Sequence, residues 1–511
     1  MLVLPPKTEP QRALSTAFSL PFRILLACLW VLPTFGQEVK VYVTSQAGDR
    51  LTPKPPVRFE NQKKASAPLF RILTGNMLQR MVGFGASFQE AGMICLNDLP
   101  RAKQEAVLRS LFDPDQGAGF SAMKTPIAAT GFMSAGPWYS YDETPGDVGM
   151  KNFTIQRDLG PNGVITYIKR ARQYGQFVLQ ASMDYPPEWM LVDVEKNQDV
   201  NPKYYDALAR YYLRYVQEYE KNGVLIDYLS PFNEPDTYTK VPYEKIREIV
   251  KRHVGPLFAK AGVKTKIMLS EAPNREDAYR HYPIVLDDPE ARRYISAMPY
   301  HGYGFKDFNL MADLHRRYAE LPMWMTGVDH RHGTDAPRSV PLPRYDYEDG
   351  DFWGNQIFND LETGAVAWIY GNMILDEQGG PCQVSEVHED PPGNLQHPVV
   401  IINRHTKQVT YTALYYYLAH FGKFVRPGAM WVLMEGRYSG LRAVAFLSPE
   451  PDGGWYWVVE LLNGRQTDAP VQVDFELDWV RRSLQLTLPA MSISTCIWKP
   501  LPHTLGNMPA Q

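Results

Sequence analysis

"PKYYDALARYYLRYVQEYEKNGVLIDYLSPFNEPD", residues 202–236, contains one complete unit of the fold. Its first part repeats apolar residues at helical spacing and stops at Gly223. A short apolar strand, "LIDYLS" (225–230), follows and runs into a polar loop with two prolines. The same order recurs along the chain. Helical 164–176 precedes strand 177–182, and helical 243–262 precedes strand 264–270. Helical 308–320 precedes "LPMWMTG" (321–327), and helical 351–364 precedes "AVAWIYGNMI" (365–374). "RRYISAMPYHGYG" (292–304) reads as a further strand, and "LPRAKQEAVLRSLF" (99–112) as a helix capped by Asn97 or Asp98. Alternation over about 300 residues with short apolar strands predicts a parallel (β/α)8 TIM barrel, an α/β fold. A doubly wound sheet would need a glycine-rich phosphate turn after an early strand, and the chain has none.

Outside the barrel the pattern changes to period two. Residues 38–75 read as strands and turns, and strands such as "LRAVAFLSP", "GWYWVVELLN" and "PVQVDFEL" return near the C-terminus. These pieces predict a small antiparallel β side domain built from the C-terminus plus the N-terminal strand segment. The expected boundaries are a signal peptide (1–36), N-terminal strands (37–78), the barrel (79–404), a β-sandwich side domain (405–500) and a tail (501–511).

Composition narrows the function. The 511 residues carry 21% charged and 44% hydrophobic side chains, an ordinary globular balance. A net charge of −3 without a basic run argues against nucleic acid as a partner. Aromatics at 12% suit sugar-stacking surfaces and equally an aromatic-rich core. Lys7, Arg12 and Arg23 precede the apolar run 24–35 and Gly36, the order of a secretory signal. The expectation is a secreted, periplasmic or extracellular protein without stable membrane insertion. Cys28 falls in that leader, and Cys95, Cys382 and Cys496 are too few and too scattered for a disulfide framework. Asn152-Phe153-Thr154 is a glycosylation sequon. "HRH" (330–332) is the nearest approach to a metal-ligand pair, and neither a metal nor another cofactor is expected.

Barrel enzymes work at the C-terminal ends of their strands. There the chain offers Asn233-Glu234, a carboxyl able to protonate a leaving oxygen beside an amide able to hold a sugar hydroxyl. His301 and Tyr303 end another strand. A retaining glycosidase needs a second carboxylate about 5 Å from the first. The best-placed strand end, "MWMT", offers Gly327.

At this point the sequence resembles glycoside hydrolase family 30, the glucosylceramidase-like group. "GFGASFQEA" (83–91), "YSYDETPGD" (139–147), "NEP" (233–235), "AVAWIYGNMILDEQGGP" (365–381), "YYYLAHFGKFVRPGA" (415–429) and "LPAMSISTCIWKP" (488–500) carry the likeness in order. It implies Glu234 as acid/base and Asn233 as partner of the sugar 2-hydroxyl. Glu90, Asp184, His301, Tyr303 and Trp368 would bind or line the sugar site. The family's nucleophile position falls on Gly327. Gly131 stands where the family has Asp, Asp184 where it has a stacking Trp, and Gly371 where it has another Trp.

Glycine carries no carboxylate, so a covalent intermediate at 327 is impossible. One reading is a hydrolase of O-glycosidic, β-linked bonds with a substitute carboxylate or an attacking water, for which Asp329, Asp184 and Glu271 are candidates. The alternative is an inactive pseudoenzyme that binds glycans in the barrel cleft. A lone replacement at 327 is a third reading, but it leaves Gly131, Asp184 and Gly371 unaccounted for.

Overall fold

The structure is a computed structural model and describes residues 37–61, 64–130, 139–193, 199–235, 240–329, 347–381, 396–477 and 480–500. The leader, Gly131, "HRH" and Cys382 lie outside the described residues.

Eight parallel strands close into a barrel among the described residues: β1 (Gly83–Ala86), β2 (Ala122–Pro126), β3 (Val178–Ser182), β4 (Tyr228–Ser230), β5 (Lys266–Ile267), β6 (Met298–Tyr303), β7 (Met323–Gly327) and β8 (Ala365–Tyr370). β2 to β5 pair in sequence, β6 to β8 pair in sequence, and β8 returns to β1 through Ala367↔Gly83 and Tyr370↔Ala86. Parallel bridges at Ser87↔Lys124 and Ile267↔Ile295 complete the ring. Gly85 makes the β1–β2 contact possible, because a β-carbon there would stand 2.1 Å from the carbonyl oxygen of Ala122. Past the mouth residue Glu271, Ala272–Asn274 resumes pairing with β6.

Alternation along each strand sends successive side chains to opposite sides. Ala122, Met268, Ala297, Trp324, Ala367 and Ile369 form a lumen cluster, separate from the large core between strands and helices. Lys124 and Gln180 lie two residues along β2 and β3 from Ala122 and from Val178, which packs on that cluster. They therefore sit one layer higher, toward the mouth. Among the described residues no helix is long and apolar enough to cross a membrane.

Three helical details differ from expectation. Helix Arg101–Phe112 is capped by Pro100, because Asn97 ends the preceding helix Glu90–Asn97 and Asp98 caps that helix's C-terminus. The segment 243–262 is a helix with a π-wound stretch, Ile249–Val254, just ahead of Gly255-Pro256. Proline lacks the N–H that an α-turn would use, and the wider turn accommodates that. The stretch 292–304 begins with the end of a short helix, Pro289–Arg292, before β6.

The N- and C-terminal strands build a ten-stranded sheet. Its pairings are antiparallel, except that Leu69–Arg80 runs parallel to Ala469–Leu477. The sheet curls so that its parts meet: Phe475 lies edge-on to Trp457 and Trp498 at 5.2 and 5.4 Å, and Phe59 meets Trp498 at 5.1 Å. Helix Ala413–Phe424, which the expected boundary assigns to the side domain, packs against both β1 and the sheet.

Candidate functional site

The site grows from polar residues at the top of the lumen. Lys124 of β2 donates from Nζ to Asn233 Oδ1 at 2.8 Å and forms an ion pair with Glu271 Oε2. Gln180 of β3 donates to the other oxygen, Glu271 Oε1. His301 of β6 bridges two carboxylates, with Nδ1 2.6 Å from Glu234 Oε1 and Nε2 2.8 Å from Glu271 Oε2. Glu234 and His301 are buried at 4% exposure each, and Glu271 is fully enclosed. Backbone bonds lock the same corner: Asn233 N–H donates to Met183 O at 2.8 Å, and Glu234 N–H donates to Glu271 O at 2.9 Å.

Charge distribution follows from these contacts. Burial alone would raise the Glu271 carboxyl, but Lys124 and His301 overcome it and hold Glu271 below its ordinary range. Burial and the Lys124 charge would depress His301, yet its hydrogen bonds to Glu234 and Glu271 leave the imidazole above its ordinary value. Asp184, half-buried just beyond β3, is pushed up to about 7, chiefly by burial. Glu234 and Glu271 add to that rise, while Lys124 and His301 oppose it. No described residue hydrogen-bonds Asp184.

Gly327 ends β7 directly under the His301 ring. A β-carbon there would stand 2.7 Å from Nε2, 2.9 Å from Cδ2 and 3.0 Å from Cε1. The imidazole thus fills the space that a side chain at 327 would enter. Gly371 repeats the pattern, since its β-carbon would stand 2.8 Å from Asp329 Oδ2. Glu234 itself takes a left-handed backbone, φ +47°, a conformation that costs energy for a residue with a side chain.

Residues 81–425 match the glycosyl hydrolase family 30 TIM-barrel domain. The chain belongs to that family. Its relatives act on glycosides and include the lysosomal acid glucosylceramidase of Mus musculus, 24% identical, with 82% of this chain and 81% of the relative covered. An endo-1,6-beta-D-glucanase of Neurospora crassa is 25% identical over 77% of this chain and 81% of its own. Among solved structures, SrfJ from Salmonella typhimurium superposes with a TM-score of 0.79 at 20% identity, covering 91% of this chain and all of that one.

Against the residues expected from sequence, this family 30 barrel gathers Glu234, Asn233, His301 and Asp184, with Tyr303 edge-on to the His301 ring at 5.8 Å. One expectation is corrected, and two further residues are placed with partners of their own. Trp368 is fully buried on the outer face of β8, where its indole donates to Asp360 at 3.1 Å, so no sugar at the mouth can reach it. Glu90 opens a helix and pairs with Arg157 at 3.1 Å, beside the Tyr139–Asp158 cluster. Asp329 lies under Gly371 and accepts from Asn372 at 3.3 Å, while Glu271 is the second carboxyl of the Glu234 cluster. Lys124 and Gln180 were missed. Their signal was a lysine and a glutamine inside otherwise apolar barrel strands, where unpaired polar groups are costly. Among the described residues no His, Cys, Asp and Glu group has the arrangement to hold a metal ion.

Proposed function

We propose that the barrel mouth hydrolyses O-glycosidic, β-linked bonds of a glycan or glycoconjugate, with Glu234 as general acid/base and water as the attacking group. The observation that carries this reading is the state of Glu234: buried, on a left-handed backbone, and oriented by His301 at 2.6 Å. Backbone strain and the burial of a carboxyl group both oppose folding, and they persist where the surroundings over-determine them, commonly at active sites. Gly327 removes the covalent route at that position, and of the two remaining routes, a substitute carboxylate or an attacking water, we take direct displacement with inversion. Glu271 has both oxygens committed to Lys124, Gln180 and His301, whereas Asp184 keeps its lone pairs for a water or a sugar hydroxyl. Asp184 is therefore the better second carboxyl. An aspartate in place of a stacking indole also favours a sugar gripped by hydrogen bonds over one gripped by an aromatic face. The relatives' glucosylceramidase and β-1,6-glucanase names support a glucose-containing substrate without choosing between lipid and polysaccharide. The leader-like N-terminus supports export.

A second reading, a glycan binder without turnover, is favoured by the His301 ring filling the space beside Gly327. A panel of β-linked glycans separates the two. Turnover with an inverted first anomer in proton NMR, falling about 10²-fold or more in Glu234→Gln, is the expected result. Retention of configuration excludes water attack. Oligosaccharide binding without turnover selects the binder.

A further inference from the structure

We propose that His301 occupies the place of the missing β7 carboxylate and acts as the positioning residue of Glu234, and that Gly327 is the glycine this ring requires. The inference rests on the reading of Glu234 as acid/base. A side chain at 327 and the ring in this position cannot share the space, because the three atoms nearest a β-carbon there all belong to the imidazole, at 2.7 to 3.0 Å. The ring is held from both ends, by Glu234 at Nδ1 and by Glu271 at Nε2.

An imidazole protonated at one nitrogen donates to one carboxylate only, whereas the imidazolium donates to both. The charged and titratable groups facing it are Glu234 past β4, Glu271 past β5, Asp184 past β3 and Lys124 of β2, whose Nζ lies 3.4 Å from Nε2. Tyr303 of β6 adds a ring edge. Two carboxylates against one ammonium favour a proton on each ring nitrogen.

That arrangement gives Glu234 a local proton store. In the delivery step the Nδ1–H bond breaks and its proton passes by way of the Glu234 carboxyl to the leaving oxygen as the bond from that oxygen to the anomeric carbon breaks, leaving a neutral ring, an ionised Glu234 and a released hydroxyl. Hydrolysis frees one proton from the attacking water for each one delivered to the leaving oxygen, so the ring is recharged without another reactant.

Two measurements test this. In wild type at pH 6, nitrogen-15 NMR of the histidines is expected to show both ring nitrogens of His301 protonated, assigned by loss of the signal in His301→Gln. A single protonated nitrogen overturns the proposal. The second is a double-mutant cycle by thermal unfolding. Gly327→Ala is expected to lower the midpoint by several degrees, and to do so hardly at all in a His301→Ala background. Additive effects, or a Gly327→Ala as stable as wild type, overturn it. Where turnover exists, His301→Gln should move the alkaline limb of the kcat/KM profile, and an unmoved limb removes the positioning role. If no variant turns over while the NMR and the cycle come out as expected, the His301 assignment stands and the hydrolase reading falls.

Discussion

Lys124 shares with His301 the control of charge at the mouth. It stands between two strands' worth of polar groups, donating to Asn233 and pairing with a fully enclosed Glu271. A buried pair contributes little net stability over an apolar pair, but breaking it leaves an uncompensated charge. Lys124→Met is therefore expected to cost about 3–5 kcal/mol in urea unfolding. His301 still donates to Glu271, which places the effect toward the lower end. Glu271→Gln added to Lys124→Met removes the stranded charge and should recover most of the loss. If the double variant is no better than the single, the penalty lies in lost packing of the lysine stem.

Individual elements show what the chain discloses by itself and what it withholds. Helix Tyr205–Lys221 and β4 were legible because a 17-residue helix carries its period openly and Gly223 stops it. The strand ends were legible too, since Asn233, Glu234, His301 and Gly327 all follow short apolar runs. Facing was not legible. Trp368 sits in a run where every residue is buried, so neither side of β8 is marked by polarity, and only register with β1 and β7 turns its indole outward. The pairing of His301 with Glu271 joins residues 30 apart in sequence, and no local pattern encodes it. The glycines of "GFGASF" belong to the family likeness, and their reason is steric. Gly85 lets β1 approach β2 to within reach of the Ala122 carbonyl. Backbone atoms cannot rotate away as side chains do. Gly85→Ala is thus expected to destabilise the barrel by about 3 kcal/mol, at or above the top of the usual overpacking range. Hydrogen exchange should show the loss as faster exchange at the Ser121 amide, which donates to Phe84 O at 2.9 Å. Unchanged exchange there would mean that the two strands part without loss.

Across the whole molecule, barrel and side sheet meet at a buried polar seam whose protonation bears on stability. His420 of helix Ala413–Phe424 is fully enclosed between Thr495 Oγ1 at 2.6 Å and Thr44 Oγ1 at 2.9 Å, which lie on two paired strands of the sheet, Ser492–Trp498 and Glu38–Ser45. Burial pushes its imidazole down to about 3. The unfolded chain takes up that proton near 6.5 and the folded chain does not, so stability is lost as pH falls below 6.5. At pH 4.5 this amounts to about 3 kcal/mol. Glu460, which accepts from Thr495 at 2.6 Å, pulls the other way. Burial holds its carboxyl well above the ordinary 4.5, so unfolding releases a proton and stability is lost as pH rises above that value. The mouth obeys the same limits. Glu271, held low, contributes above 4.5 and loses that contribution in acid. His301, held high, contributes below 6.5 and loses its contribution as pH rises. Asp184, raised to about 7 from 3.8, adds a penalty that grows with pH between those values. His420 and Glu271 therefore favour higher pH while Glu460, Asp184 and His301 favour lower pH, and the opposing slopes cross near 4.5, so the unfolding midpoint is expected to peak at about pH 4.5. Differential scanning calorimetry across pH 3.5–8.5 checks this. His420→Asn should flatten the acid limb and Glu460→Gln the alkaline limb. A midpoint that climbs steadily to pH 8 would show that neither the seam nor the mouth governs stability.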